Sequence, residues 1–240
     1  MRNKSVMNDF KRGMKDGIPI ALGYLSVSFT FGLMAVSAGM NWWQAVLISM
    51  TNLTSAGQFA GLNIMIVGGT LIEMALSQFV INLRYALMSL SLSQKVDKTL
   101  TTFYRFVVGV GITDEIFAVA VNQKQKVSRY YMFGLIAVPY IGWAGGTFAG
   151  AVLGGVLPEI VRAALGIAIY GMFIAIIVPK AREHSCYLKV ILIAVGMSCL
   201  FTYVPGLNKV SSGFVIIICA VIASVVGAIL YPIPEEGDYD

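Results

Sequence analysis

Arg84 is the side chain in this sequence that is best suited to bind a carboxylate. It lies in residues 70–92, an apolar stretch of helical length, eight positions before Leu92. A guanidinium at that depth requires an anion, which is either a carboxylate of the protein or that of a substrate. Asn82 and Arg84 are therefore predicted to face or orient a substrate carboxylate. The candidate partners within the protein are Glu73, Asp114 and Glu115, and at 100° per residue Glu73 falls about 20° from Arg84 on the same helix.

A second group whose side chains could bind a ligand or a proton is the triplet Thr113-Asp114-Glu115, which lies between two apolar runs. A hydroxyl and two carboxylates at the broken end of a helix suit an amino group or a proton. Alternatively, Thr113 or Asp114 caps the following helix, and Glu115 lies in its first turn. Capping explains one carboxylate but not both. Asp114 and Glu115, together with Glu73, are the predicted proton or amino-group site.

A third group lies in residues 51–61, which read TNLTSAGQFAG and interrupt another apolar segment. Ser55 and Gln58 offer uncharged hydrogen bonds, and Gly57 and Gly61 let the backbone approach a ligand closely. A break inside apolar sequence is tolerated only where protein or water satisfies the freed backbone groups. Ser55 and Gln58 are predicted to line a substrate path.

The elements that position these residues are those of a membrane protein. Of the 240 residues, 58% are hydrophobic and 12% are charged, whereas ordinary soluble domains carry about 25% charged residues. Long apolar runs with so few charges predict an all-α polytopic membrane protein. Residues 17–231 are predicted to form a single transmembrane transporter domain.

The apolar segments divide into two kinds. Six are predicted to be full spans, and they lie at 17–39, 70–92, 130–156, 160–179, 187–205 and 210–231. Residues 44–68 and 103–121 are broken by polar residues and are predicted to enter and leave on the same side. The fold is then a helical bundle of about six full spans plus two broken or re-entrant segments. Seven or eight simple spans is the alternative.

The basic residues support this topology. They cluster at 95–105, 124–129 and 180–189 and before residue 17. With two re-entrant segments, all four clusters fall on one side, which the positive-inside tendency identifies as the cytoplasm. Residues 1–16 are then a cytoplasmic basic segment, either an interfacial helix or a disordered tail. Residues 232–240 are an acidic cytoplasmic tail.

Residues 130–156 carry an unusually small-residue face. Its glycines are Gly142, Gly145, Gly146, Gly150, Gly154 and Gly155. Such a face permits close helix packing, within the chain or with a second subunit. It is also compatible with a movable gate.

The sequence lacks the motifs that are typical of several kinds of enzyme and metal-binding protein. The three cysteines and the single histidine show no metal-ligand or redox spacing, and neither GxSxG nor HExxH occurs. The sequence therefore predicts that the protein binds no metal or cofactor and is not an enzyme. The net charge is +5, and the basic residues are scattered among the loops. This distribution indicates membrane topology rather than binding of nucleic acid.

Four stretches in order resemble the signature regions of the AzlC-type branched-chain amino acid exporter family. They read TSAGQFAGLNIM (54–65), INLRYALMSLSLS (81–93), TDEIFAV (113–119) and WAGGTFAGAVLGGVLPE (143–159). The resemblance implies a multi-pass protein of the bacterial inner membrane that exports branched-chain and similar hydrophobic amino acids. It also implies a small membrane subunit of the AzlD type as partner. A proton gradient is the expected driving force. The alternative is a regulatory or scaffolding subunit that transports nothing itself.

Overall fold

The protein is helical throughout the part of the chain that the structure describes. The computed structural model describes the backbone of residues 2–232 and side chains from residue 6 onward, except at positions 155, 159, 162, 163, 165, 166, 168–170, 172, 173, 175, 176 and 180. No strand occurs among these residues. The all-α prediction is therefore confirmed.

From α1 to α7 the helices follow one another through short connections. In chain order they are α1 (Arg2–Ser37), α2 (Trp42–Thr51), α3 (Ser55–Ile66), α4 (Leu71–Ser93), α5 (Thr102–Val110), α6 (Asp114–Val121), α7 (Arg129–Leu153), α8 (Ser185–Tyr203) and α9 (Ser212–Leu230). Within the described residues, four helices are long and apolar enough to cross a membrane, namely α1 over Val6–Ser37, α7, α8 and α9. The 23 residues of α4 extend over about 35 Å, also enough to span a bilayer.

Two predicted segments fall largely outside the described residues. The predicted span 160–179 is one, although its described positions are helical. The acidic tail is the other, because the description ends at residue 232.

The chain divides into two compact units. Unit 1 comprises Met1–Phe59 and Asn82–Ile169, and unit 2 comprises Ala60–Ile81 and Tyr170–Asp240. Helices α3 and α4 each contribute to both units. In unit 2, α8 and α9 pack against each other, with Val190 against Gly227 and the Lys189 ammonium 5.2 Å from the Tyr231 ring centroid.

Helix α1 is longer than the sequence indicates. The predicted boundary between a basic segment and a span at residue 17 is not a helix boundary, because α1 continues from Arg2 to Ser37. Packing explains the continuity. A Cβ at Gly17 would lie 2.9 Å from the Leu135 carbonyl oxygen, and a Cβ at Gly13 would overlap the Tyr131 carbonyl oxygen. The basic segment is thus held against α7 as an extension of the first span.

The glycine face of α7 is occupied within unit 1. A Cβ at Gly142 would lie 3.0 Å from the Ala21 carbonyl oxygen, and Cβ atoms at Gly146 and Gly150 would overlap α1 outright. Gly145 points elsewhere, with no atom within 4 Å of its Cβ position. Close approach of two backbones through small residues is the usual way in which membrane helices associate. The packing interpretation of this face is therefore supported.

Both apolar segments are interrupted, but the first interruption is shorter than predicted, because residues 55–61 are helical and belong to α3. Residues 52–54, the first break, separate α2 from α3, and residues 111–113, the second break, separate α5 from α6. The ends of the α5–α6 segment meet: the Val127 N–H donates to the Lys95 carbonyl and the Asp97 N–H to the Val127 carbonyl, each at 3.0 Å. Residues 103–121 thus enter and leave at the same end of unit 1, as the distribution of basic residues predicts.

Candidate functional site

The second break carries an ion pair. Arg84 of α4 donates from Nη1 to Asp114 Oδ2 at 2.5 Å, and from Nη2 to the Tyr85 hydroxyl at 3.2 Å. About 40% of each charged side chain is accessible, 41% for Arg84 and 40% for Asp114. Charged groups in membrane proteins avoid lipid and face a cavity, a partner or a ligand. Both members of the pair are therefore partly accessible in the part of the chain that the structure describes.

The local sequence explains why two carboxylates lie there. Thr113 is the N-cap of α6, and its hydroxyl accepts the Ile116 N–H at 3.4 Å. Asp114 and Glu115 follow in the first turn, where the positive end of the helix dipole favours negative charge. The capping prediction is therefore confirmed for Thr113, and it leaves both carboxylates available for other contacts.

Glu115 has a different neighbour from Asp114. The Tyr24 hydroxyl of α1 lies 2.5 Å from Glu115 Oε2 and 2.5 Å from Thr113 Oγ1. Tyr24 is buried, with 8% of its surface exposed. Among the described residues no basic side chain forms an ion pair with Glu115. Two adjacent carboxylates therefore lie in distinct environments, one paired with a guanidinium and one hydrogen-bonded to the Tyr24 hydroxyl.

A chain of buried contacts runs from Tyr24 to the helices that flank the first break. The Tyr24 ring meets the Trp143 ring edge to face, with centroids 5.2 Å apart. Trp143 donates from Nε1 to Gln58 Oε1 at 2.8 Å, and the Gln58 amide donates to Ser49 Oγ at 2.8 Å. Ser49 Oγ is in turn 2.6 Å from the Thr147 hydroxyl. The two breaks are thus linked through side chains of α1, α3 and α7.

The predicted path residues are in different surroundings. Gln58 is 1% exposed and both ends of its amide are paired, so in this structure it holds helices together. Ser55 is half-buried in the first turn of α3, and Asn82 is half-buried on α4. At the first break, the buried Thr54 Oγ1 has no hydrogen-bond partner among the described residues. That Ser55, Gln58 and Asn82 line a substrate path stays a prediction.

Glu73 belongs to unit 2, whereas Arg84 and Asp114 belong to unit 1. Its Oε1 accepts the Gly213 N–H at the start of α9 at 2.8 Å, and Ser77 donates to the Gly213 carbonyl at 3.2 Å. Only 2% of Glu73 is exposed. An anion at a helix N-terminus satisfies an otherwise unpaired N–H and is favoured by the helix dipole. Glu73 and Ser77 both contact Gly213, so this face of α4 packs against the start of α9.

Tyr24 and Trp143 are the site residues that sequence reasoning missed. Each carries a signal that was available. A tyrosine in the middle of an apolar span needs a partner for its hydroxyl, and a tryptophan far from the span ends needs one for its N–H. Neither signal identifies the partner, which lies 89 or more positions away for Tyr24 and 85 positions away for Trp143.

The site offers binding groups for a small zwitterion and a position for a proton. Arg84 supplies donors for a carboxylate, Asp114 an acceptor for an ammonium group, and Glu115 an ionisable oxygen with hydroxyl neighbours. Within the described residues, no cluster of His, Cys, Asp and Glu has the arrangement of a metal site.

Comparison with known sequences agrees with this description. The family model described as AzlC protein matches residues 19–157, which include both breaks and Tyr24, Arg84, Asp114, Glu115 and Trp143. An uncharacterized membrane protein of Archaeoglobus fulgidus is 31% identical over 182 residues, covering 75% of this chain and 78% of that protein. The inner membrane protein YgaZ of Escherichia coli is 28% identical over 240 residues, covering 95% and 94%. No solved structure matches the chain.

Proposed function

This chain belongs to the AzlC family of membrane proteins, and on that premise we propose that it is a secondary transporter that exports branched-chain and similar hydrophobic amino acids. The membrane it occupies is the bacterial inner membrane, with the N-terminus in the cytoplasm. Export is driven by the proton gradient and involves a small membrane subunit of the AzlD type. The resemblance of four ordered motifs supports the substrate class and the subunit.

The observation that carries the proposal is the accessible Arg84–Asp114 pair at the second break. An amino acid in solution is a zwitterion, and a guanidinium next to a carboxylate presents the complementary charges. The substrate carboxylate replaces Asp114 at the planar guanidinium, whose donors match a carboxylate in a two-pronged geometry. The substrate ammonium group then pairs with Asp114. Neither protein charge is left unpaired when the substrate binds, so binding avoids the cost of an isolated charge.

Two buried polar atoms are consistent with a ligand at the breaks. Arg84 Nε and Thr54 Oγ1 have no hydrogen-bond partner among the described residues. Buried polar groups in proteins are nearly always hydrogen-bonded, and exceptions concentrate at functional sites. Arg84 Nε is a further donor for the substrate carboxylate, and Thr54 Oγ1 offers a hydroxyl beside the first break.

The partner subunit requires a surface that the chain leaves open. The glycine face of α7 is not available, because α1 occupies Gly142, Gly146 and Gly150. In unit 2, no residue of α8 is buried. The small subunit therefore contacts a surface other than the glycine face, and co-expression with it is expected to raise the yield or the rate of export.

The experiment that tests the function measures amino acid efflux from cells with and without this protein, across a panel of substrates. The proposal predicts faster loss of leucine, isoleucine and valine from preloaded cells, and little effect on charged amino acids. Parallel strains carry an AzlD-type subunit. Efflux that is unchanged for every substrate, in both sets of strains, would instead support a non-transporting scaffolding subunit.

A further inference from the structure

Asp114 and Glu115 are neighbours in sequence but are not equivalent. The charge of Asp114 is balanced by Arg84 at 2.5 Å. Glu115 is 2.5 Å from the hydroxyl of Tyr24 and belongs to none of the ion pairs among the described residues. An ionised carboxylate beside a guanidinium is held in its charged form by the opposite charge. Among the described residues, Glu115 has no such cation in an ion pair, and its partner is the Tyr24 hydroxyl.

The hydroxyls around Glu115 can report its protonation state. Tyr24 has one hydroxyl proton but lies 2.5 Å from two oxygens, Glu115 Oε2 and Thr113 Oγ1. An ionised carboxylate only accepts hydrogen bonds, so it takes the Tyr24 proton. A protonated carboxyl group can donate to Tyr24, whose own proton then turns to Thr113. Protonation thus reverses the direction of the hydrogen bonds through Tyr24.

Tyr24 also contacts the chain that leads to the first break. Its ring lies against the ring of Trp143 at an interplanar angle of 74°. Trp143 is 2% exposed and hydrogen-bonds to Gln58 in α3. Because these side chains are buried and closely packed, a change in the position of Tyr24 cannot be absorbed by solvent. A shift of the Tyr24 ring would therefore act directly on Trp143 and on its hydrogen bond to Gln58.

The other ionisable groups near Glu115 come from three helices. Helix α1 supplies Tyr24, α6 supplies Asp114, and α4 supplies Arg84 and Tyr85. The Tyr85 hydroxyl accepts a hydrogen bond from Arg84 and lies close enough to Asp114 and Glu115 to interact with their charges. When substrate takes over the contacts of Arg84 and Asp114, the charge balance around Glu115 changes. Substrate and proton are thereby linked at adjacent residues.

We propose that Glu115 binds and releases the coupling proton, and that Tyr24 is the positioning residue that transmits its protonation state to Trp143 and Gln58 beside the first break. The inference rests on the proposed transport function for its coupling role. A proton from water on the side of higher proton concentration forms the O–H bond at Glu115, and the same bond breaks when the proton leaves to the other side.

The first arm of the test follows Trp143 and needs no transport. Trp42 and Trp43, each 51% exposed, are replaced by Phe so that Trp143 is the remaining tryptophan. Its emission in the detergent-purified protein is expected to change sigmoidally with pH. Glu115→Gln and Tyr24→Phe abolish the change. The double variant Arg84→Gln/Asp114→Asn removes the ion pair without leaving an unpaired charge, and the change persists.

The second arm measures transport in vesicles that contain the purified protein. Glu115→Gln is expected to exchange external for internal leucine while losing its response to an imposed pH gradient. A Glu115→Gln protein with the wild-type Trp143 titration, or with wild-type stimulation by the gradient, would overturn the inference. If the wild type moves no amino acid but its titration depends on Glu115, the proposed transport is wrong and the proton site stands.

Discussion

At the residue scale, Arg84 has more donors than its protein partners use. Nη1 and Nη2 contact Asp114 and Tyr85, whereas the buried Nε has no partner among the described residues. A structural pair with Asp114 uses only part of this donor capacity. A role in binding explains better why a guanidinium is placed beside a broken helix.

Arg84→Gln is expected to fold and to lose export by more than about tenfold, because a charge-assisted contact to the substrate contributes roughly 1.5–3 kcal/mol. Arg84→Lys keeps the charge but loses the planar geometry, so it is expected to be partly active. Efflux is normalised to folded protein from the detergent size-exclusion profile. Arg105→Gln is the matched control, since Arg105 is exposed and its Nε donates to the Leu100 carbonyl. An aggregated Arg84→Gln protein would point to a structural pair instead.

Glu73 is expected to act through hydrogen bonding rather than through its charge. Glu73→Gln keeps an oxygen acceptor for the Gly213 N–H, so both stability and the response to a pH gradient are expected to remain. Glu73→Ala leaves that N–H unpaired and is expected to cost about 1–3 kcal/mol. Thermal unfolding in detergent and vesicle efflux measure the two properties. Loss of gradient-driven efflux in Glu73→Gln would instead indicate that Glu73 takes part in proton binding.

At the element scale, the local sequence predicted where the helices are interrupted, but not which side chains contact the interrupted segments. The first and second breaks follow from polar residues within apolar segments, and the α5–α6 hairpin follows from the positions of basic residues. The contacts of Tyr24 and Trp143 were not predictable, because they join helices far apart in sequence and leave no periodic pattern. The continuity of α1 was missed for the same reason: its basic residues resemble an interfacial segment, and only packing of Gly13 and Gly17 on α7 shows otherwise.

The packing of α1 on α7 predicts a contrast between two glycines of the same helix. Gly150→Ala places a Cβ onto the Phe29 backbone, which cannot move aside as a side chain would. Overpacking of this kind typically costs about 1–3 kcal/mol. Gly145→Ala is the matched control, because nothing lies within 4 Å of its Cβ position. The midpoint of thermal unfolding in detergent should fall for Gly150→Ala alone; equal midpoints would contradict close packing at Gly150.

At the scale of the whole molecule, unit 1 gathers its basic loops at one end. The loop that contains Lys98 hydrogen-bonds to the loop that contains Lys126, through the Val127 backbone. The N-terminal part of α1 reaches the same end, because Asp9 accepts a hydrogen bond from Ser128 at 2.7 Å. Basic residues of membrane proteins concentrate in cytoplasmic loops. The common end is therefore expected to face the cytoplasm.

Single cysteines test this orientation in a background from which Cys186, Cys199 and Cys219 have been replaced by Ser. An impermeant maleimide added to intact cells is expected to leave Lys98→Cys and Lys126→Cys unlabelled. It is expected to label Asn208→Cys, because the connection between the predicted spans 187–205 and 210–231 then lies on the external side. Inverted vesicles should show the opposite pattern. Labelling of position 98 from outside would contradict the topology.

The most direct measurement of the central claim is efflux of labelled leucine from vesicles that contain the purified protein, with and without an AzlD-type subunit. The transporter account predicts efflux above that of protein-free vesicles, stimulation by an inward proton gradient, and loss of both in Arg84→Gln. Efflux from vesicles of the folded wild-type protein that equals that of empty vesicles, with the subunit present, would contradict it.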